Sequence, residues 1–175
     1  MSFAYSFLTL MKYAELMLAP VPQNPIEEHF VDAANSTLPT TALETGRNES
    51  GILYYRWLSP SPAIHALSVY VKESEVMLST KISHTHVNSS DFGEQHLTEE
   101  DMSRRVAQEG VAKAAAIMRG EIAFTETFDG RGNKVSSGLC QTDKLAEGLS
   151  YMRQVFGDEM TERAFTWFGE ITVPE

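Results

Sequence analysis

Cysteine is all but missing from this sequence. Cys140 stands alone, so no internal disulfide can form and a reducing compartment is the natural setting. A solitary cysteine reads first as a small apolar residue. A nucleophilic role would call for a neighbouring base, and no histidine lies close to Cys140 in the chain. Basic residues are scarce as well: 14 Lys and Arg stand against 24 Asp and Glu, a net charge of −10. That balance works against the phosphate contacts on which non-specific nucleic-acid binding depends, and against an anionic membrane surface. Neither is expected as a partner. The same charge keeps a chain soluble and would steer it towards a basic protein.

Long apolar runs are also lacking. The first twenty residues are the most apolar stretch, yet no basic residue precedes it and Lys12 and Glu15 interrupt it. The uncharged run falls well short of the roughly 20 residues a membrane span needs. Phe3, Phe7, Leu10, Met11, Ala14, Met17 and Leu18 follow the helical period, so an amphipathic helix over residues 1–19 and a cytoplasmic address are expected. Catalytic signatures are missing too: there is no Gly-x-x-x-x-Gly-Lys-Ser/Thr phosphate loop, no Gly-x-Gly-x-x-Gly turn, no Gly-x-Ser-x-Gly elbow and no His-Glu-x-x-His helix. No residue is assigned a catalytic role on this basis.

What is present fits one domain. A chain of 175 residues with 42% hydrophobic content can bury one sizeable core. Prolines at 20, 22 and 25 make a connector after the first helix, and the weak pattern from Ile26 to Ser50 predicts an irregular segment, with loops at Asn35–Pro39 and Gly46–Ser50. Strand signals then begin. Ile52–Leu58 and Ala63–Val71 are rich in aliphatic and aromatic residues, His65 sharing a face with Leu67 and Val69, and the Val76–His86 stretch follows after a short link, which predicts an antiparallel meander. Thr98 with Asp101 opens a helix to about Arg119, whose small and apolar stripe ends at Gly120. Ile122–Phe128 and Lys134–Leu139 read as a hairpin around Gly130–Asn133, Thr142–Phe156 as a helix burying Leu145, Leu149, Met152, Val155 and Phe156, and Arg163–Phe168 as a last strand. The expected fold is α+β, with a single antiparallel sheet of about five or six strands. The helices at 98–119 and 142–156 would cover one face of it, and the N-terminal helix would be additional.

The stretch Val76–His86 carries the most chemistry. Read as one strand, its even-numbered residues share a face, so His84 and His86 would prolong the core-facing row Val76, Leu78, Thr80, Ile82. Their backbones would lie roughly 7 Å apart, close enough for both imidazoles to converge on one ion. Asp91 and His96 follow in a polar loop, so His84, His86 and either of these two could bind a divalent transition metal. The alternative is a polar rim whose histidines hydrogen-bond within the protein, with no cofactor at all. Glu126 interrupts the apolar row Ile122, Phe124, Phe128, and a carboxylate there needs a partner: a histidine of the pair, a cation, or solvent at a sheet edge. The aromatic groups Tyr54, Tyr55, Trp57 and Phe165, Trp167, Phe168 are core candidates; if exposed, Tyr55, Trp57 and Trp167 would join Glu126 as contacts for a protein partner.

The run Leu78-Ser-Thr-Lys-Ile-Ser-His-Thr-His86, the alanine-rich helix after it and the strand Gly120-Glu-Ile-Ala-Phe-Thr-Glu126 resemble segments of immunity proteins from bacterial polymorphic toxin systems. The resemblance spans residues 50–140. It implies an antidote that neutralises a cognate toxin by protein–protein binding, and an acidic inhibitor would complement a basic toxin domain. Two other classes stand beside it. One is a metal-dependent enzyme or metal-binding domain built on His84 and His86. The other is a phage- or plasmid-encoded structural or assembly protein docking through its first helix.

Overall fold

Asn24 and Pro25 set the start of the first helix of the computed structural model, which describes residues 20–41, 43–93 and 97–173. The Asn24 side chain accepts from the Glu27 amide (2.9 Å), Pro25 takes the first helical position, and Glu27 and Glu28 sit in the first turn. These features suit a helix N-terminus on steric and electrostatic grounds. Helix α1 (Pro25–Thr37) occupies part of the segment expected to be irregular. Its signal was local: the cap, then Ile26, Phe30, Val31 and Ala34 at helical spacing, all four buried. The expected helix over residues 1–19 lies outside the described residues.

Five strands follow, β1 (Leu43–Arg47), β2 (Leu53–Leu58), β3 (Ala66–Val71), β4 (Glu75–Ser79) and β5 (His84–Asn88). They form an antiparallel sheet in simple sequence order, as local pairing predicts. Helix α2 (Glu99–Met118), capped by Thr98 as expected, leads to β6 (Ile122–Phe128) and β7 (Lys134–Gln141). A one-turn 3-10 segment at Thr142–Lys144 opens α3 (Leu145–Phe156), and β8 (Thr161–Thr166) and β9 (Gly169–Ile171) close the chain. These last strands make a second antiparallel sheet in the order β7-β6-β8-β9. The expected single sheet is therefore two, of five and four strands. After α2 the chain starts a new ladder at β6, which pairs on both sides with later strands, β7 and β8, and not with the first sheet.

The helices divide accordingly. The first sheet turns Leu53, Tyr55, Trp57, Leu67, Val69, Val71, Val76 and Leu78 inward, and α1 and α2 pack on that face. Phe30 of α1 meets the Tyr55 ring at 5.3 Å between centroids. Helix α2 approaches so closely at Gly110 that a Cβ there would stand 2.7 Å from Val76 Cγ1, the close approach its small residues allow. Phe124 and Phe165 of the second sheet and Trp167 of the β8–β9 turn continue the same core. Helix α3, expected beside α2, instead covers the opposite face of the second sheet, where Leu145 packs with Ala123 and Ala164. Of its five predicted core residues only Leu145 and Leu149 are buried; Val155 and Phe156 are exposed. No described helix is long and apolar enough to cross a membrane.

Candidate functional site

The histidine stretch is a hairpin. Strand β4 ends at Ser79, residues 80–83 turn, and β5 begins at His84. Thr80 builds the turn, its amide donating to Ser83 O at 2.9 Å and its hydroxyl accepting from Ile82 N at 3.2 Å. This turn reverses the expected parity. Leu78 pairs with Thr85 and Val76 with Val87, while Met77 pairs with His86 and Ser79 with His84. Paired residues share a side of the sheet, so the odd-numbered residues of β5 continue the core and both histidines face away from it. The imidazoles do share one face, their ring centroids 5.3 Å apart and nearly perpendicular.

Across the sheet the registers assemble two transverse rows on this outward face. One runs Gly46, Tyr54, Tyr70, Met77, His86; the other runs Glu44, Arg56, Ser68, Ser79, His84. No described helix packs here, since α1 and α2 lie behind the sheet. The Tyr54 ring lies over Gly46, where an added Cβ would come within 3.3 Å of it. Most residues of the rows are half-buried by their neighbours. The result is a rigid surface of two tyrosines, a methionine, an arginine and two histidines.

The predicted site residues fall as follows. His86 Nδ1 bonds Glu75 Oε2 at 2.8 Å, and Lys72 donates to the other oxygen of the same carboxylate. Lys72 is the main influence that holds the Glu75 carboxyl below its ordinary range, with His86 adding to it against the opposing effect of burial. Asp91 is engaged elsewhere: its carboxylate accepts from the Asn88 amide at 2.9 Å in a capping box on the 3-10 turn Ser89–Phe92. His96 lies outside the described residues. Among the described residues no group of three or more His, Cys, Asp or Glu is arranged to hold a metal ion. Glu75, missed in the sequence reading, is the acid nearest the pair; it became visible only with the hairpin register.

Glu126 sits on β6, an inner strand of the second sheet, accepting from Lys134 Nζ at 2.8 Å, with Arg163 opposite it in register. A cation satisfies it, and the two histidines belong to the other sheet. Tyr55, Trp57 and Trp167 are core residues, 3%, 2% and 8% exposed, with Trp57 Nε1 donating to Pro39 O at 2.8 Å. Burial takes these three out of the contact set; the tyrosines on display are Tyr54 and Tyr70. His65 is not in a strand. It ends the β2–β3 loop at φ 66°, the one non-glycine residue with positive φ among those described, and it projects into solvent instead of the core. Burial raises the Cys140 thiol, and the carboxylates of Glu162, Asp143 and Glu147 raise it further, the reverse of what a thiolate nucleophile requires. No known protein family, curated protein or solved structure matches this chain.

Proposed function

We propose that this chain is a binding protein that engages a protein partner through the open face of its five-stranded sheet, acting as an immunity-type inhibitor of a cognate toxin. The observation that carries the reading is the double row centred on Tyr54, Tyr70, Met77 and Arg56, which no described helix covers. Tyr, Met and Arg are the residue types enriched in protein interfaces, and a sheet holds them in place before binding, which lowers the entropy lost on association. Glu28, Asp32, Glu99, Glu100 and Glu109 are exposed on α1 and α2 beside Arg104 and Arg105, and the open face carries Arg56 with Glu44 and Lys72 with Glu75. The net −10 would steer a basic toxin towards the chain, while the contact itself would rest on the tyrosines.

The test is co-expression with a basic protein encoded beside this chain, followed by the Tyr54→Ala/Tyr70→Ala variant. The variant should stay folded by circular dichroism, lose at least about tenfold in affinity as truncated anchors do, and fail to relieve growth inhibition. Unchanged binding and protection by the double variant would sink the assignment of this face.

A second reading rests on the shared face of the two imidazoles. A divalent transition metal would use His84 and His86, with Glu75 the nearest acid on the hairpin. Metal content of tag-free protein, compared between wild type and His84→Ala/His86→Ala, decides it: stoichiometric metal lost in the variant supports the reading, and equal content in both removes it.

A further inference from the structure

One end of the open face closes into a groove of about 440 Å³, the volume range of small-ligand sites. Register explains where it lies. Strand β2 ends, β3 begins and β4 ends at the same edge, so the β2–β3 loop with His65 and the β4–β5 turn with Lys81 rise as its walls. Arg56, Ser68 and Ser79, consecutive across three strands, form its floor. Tyr54 and Tyr70, a directly opposed pair one row further in, line its inner side.

This groove gathers positive charge in an acidic protein. Arg56 and Lys81 line it beside the His65 imidazole, and Glu44 is the one acid among the described residues that does so. The cations are also little used. Arg56 has one ionic partner among the described residues, Glu44 at 3.5 Å on the edge strand, beyond good hydrogen-bond length. By contrast Arg47, Arg119 and Arg163 each fork a carboxylate. The His65 wall is held firmly. Its amide donates to Ser61 O and its carbonyl accepts from the Ser59 amide, both at 2.9 Å, and the Ser59 hydroxyl anchors the loop to Trp167 O at 2.7 Å. The left-handed backbone this imposes on a histidine is unfavourable, and such conformations concentrate at binding sites.

We infer that the groove binds a phosphate monoester carried on a planar ring, of the mononucleotide class. Arg56 and Lys81 take the phosphate, with His65 and the Ser68 and Ser79 hydroxyls as further donors, and the ring lies against Tyr54 and Tyr70. Three nitrogen-bearing side chains lining one groove suit a dianion better than a carboxylate, which a single guanidinium satisfies. One phosphate is compatible with a net charge of −10, whereas a polyanion would meet repulsion along its length. The inference does not depend on a protein partner, because the groove is complete in the isolated chain.

The experiment is an amide chemical-shift titration of the full chain with adenosine 5′-monophosphate, inorganic phosphate and adenosine. Saturable shifts at Arg56, Ser68, Ser79 and Lys81 are expected, strongest for the nucleotide, weaker for inorganic phosphate and weakest for adenosine. Arg56→Gln should weaken the nucleotide by about tenfold or more, and Lys81→Ala should do the same if Arg56→Gln perturbs the sheet. Arg131→Gln, on the distant β6–β7 turn, should leave affinity unchanged. No saturation by either phosphate compound up to about 10 mM would overturn the proposal, as would shifts centred elsewhere or equal affinity in the Arg56 and Lys81 variants. Toxin binding without phosphate binding would remove this inference and leave the proposed function standing; the converse result would do the reverse.

Discussion

Replacing Arg47 by methionine would leave the Glu27 carboxylate in the interior without its counter-charge. The two side chains form a fork, Arg47 Nη1 to Glu27 Oε1 at 2.9 Å and Nη2 to Oε2 at 2.6 Å. Glu27 is 3% exposed at its side chain and Arg47 20%. The same guanidinium donates to Gly51 O and Val21 O, both at 2.7 Å, and the Gln23 amide donates to Glu27 Oε2, also at 2.7 Å. One arginine thus ties the start of α1 and the segment before it to β1. Breaking a buried pair by removing one partner costs about 3–5 kcal/mol, and the partial exposure of Arg47 lets water soften the loss, so about 3 kcal/mol is expected. In a chain of this size that lowers Tm by roughly 6–12 °C. Urea unfolding followed by circular dichroism gives the free energy, and Glu27→Leu/Arg47→Met, which removes both charges, should recover to within about 1 kcal/mol of wild type. Acid supplies an independent check. Burial pushes the Glu27 carboxyl up, but Arg47 and the Gln23 amide together outweigh it, and the folded-state pKa lies below the ordinary value. The pair's contribution is therefore complete above about pH 4.3 and is lost as pH falls through the lowered folded value. A loss under about 1 kcal/mol for Arg47→Met, or a double variant as unstable as the sum of the singles, would refute this account of the clamp.

Three further substitutions probe the packing. Tyr55 keeps a buried hydroxyl with no hydrogen-bond partner in good geometry among the described residues, and the neighbouring Thr45 hydroxyl donates to Tyr54 O at 3.1 Å; Tyr55→Phe should be neutral or up to about 1 kcal/mol more stable in urea unfolding, and a clear loss would reveal a bond made by that oxygen. Gly110→Ala should destabilise by roughly 1–2 kcal/mol, since overpacking against Val76 exceeds the gain in helix propensity, and adding Val76→Ala should cost less than the two effects summed. Burial raises the Glu162 carboxyl despite a hydrogen bond from Thr125, and its Oε2 is buried without a partner among the described residues. Glu162→Gln should therefore raise thermal stability at neutral pH by about 1 kcal/mol. A raised acid loses its contribution as pH climbs from the unfolded value through the folded one, so this gain should vanish below about pH 4.3, and a gain that persists in acid would contradict the charge argument.

Much of the chain was legible from short-range features. Thr98 with three acids behind it announced α2, Gly130–Asn133 announced the β6–β7 turn, and the β2–β4 meander followed from alternation and short links. Each is decided by groups within a few residues of one another, where capping, proline geometry and side-chain period act directly. Helix α1 was equally local, but a proline-rich lead and a weak stripe hid it. The sequence by itself thus determined the α+β class, the acidic charge and most of the elements after Gly51, but not helix α1 or strands β1 and β9, nor the division of Val76–His86 into two strands. The tertiary structure decided everything that turns on register. One turn at residues 80–83 changed which side of the sheet carries His84 and His86, because side chains alternate with a period of two and an odd offset inverts a whole face. The meeting of Tyr54 with Tyr70 and of Arg56 with Ser68 and Ser79, the pairing of His86 with Glu75, and the break into two sheets are all contacts between strands. Which residues become neighbours there depends on ladder pairing summed over the sheet, and no single stretch of the sequence contains that information.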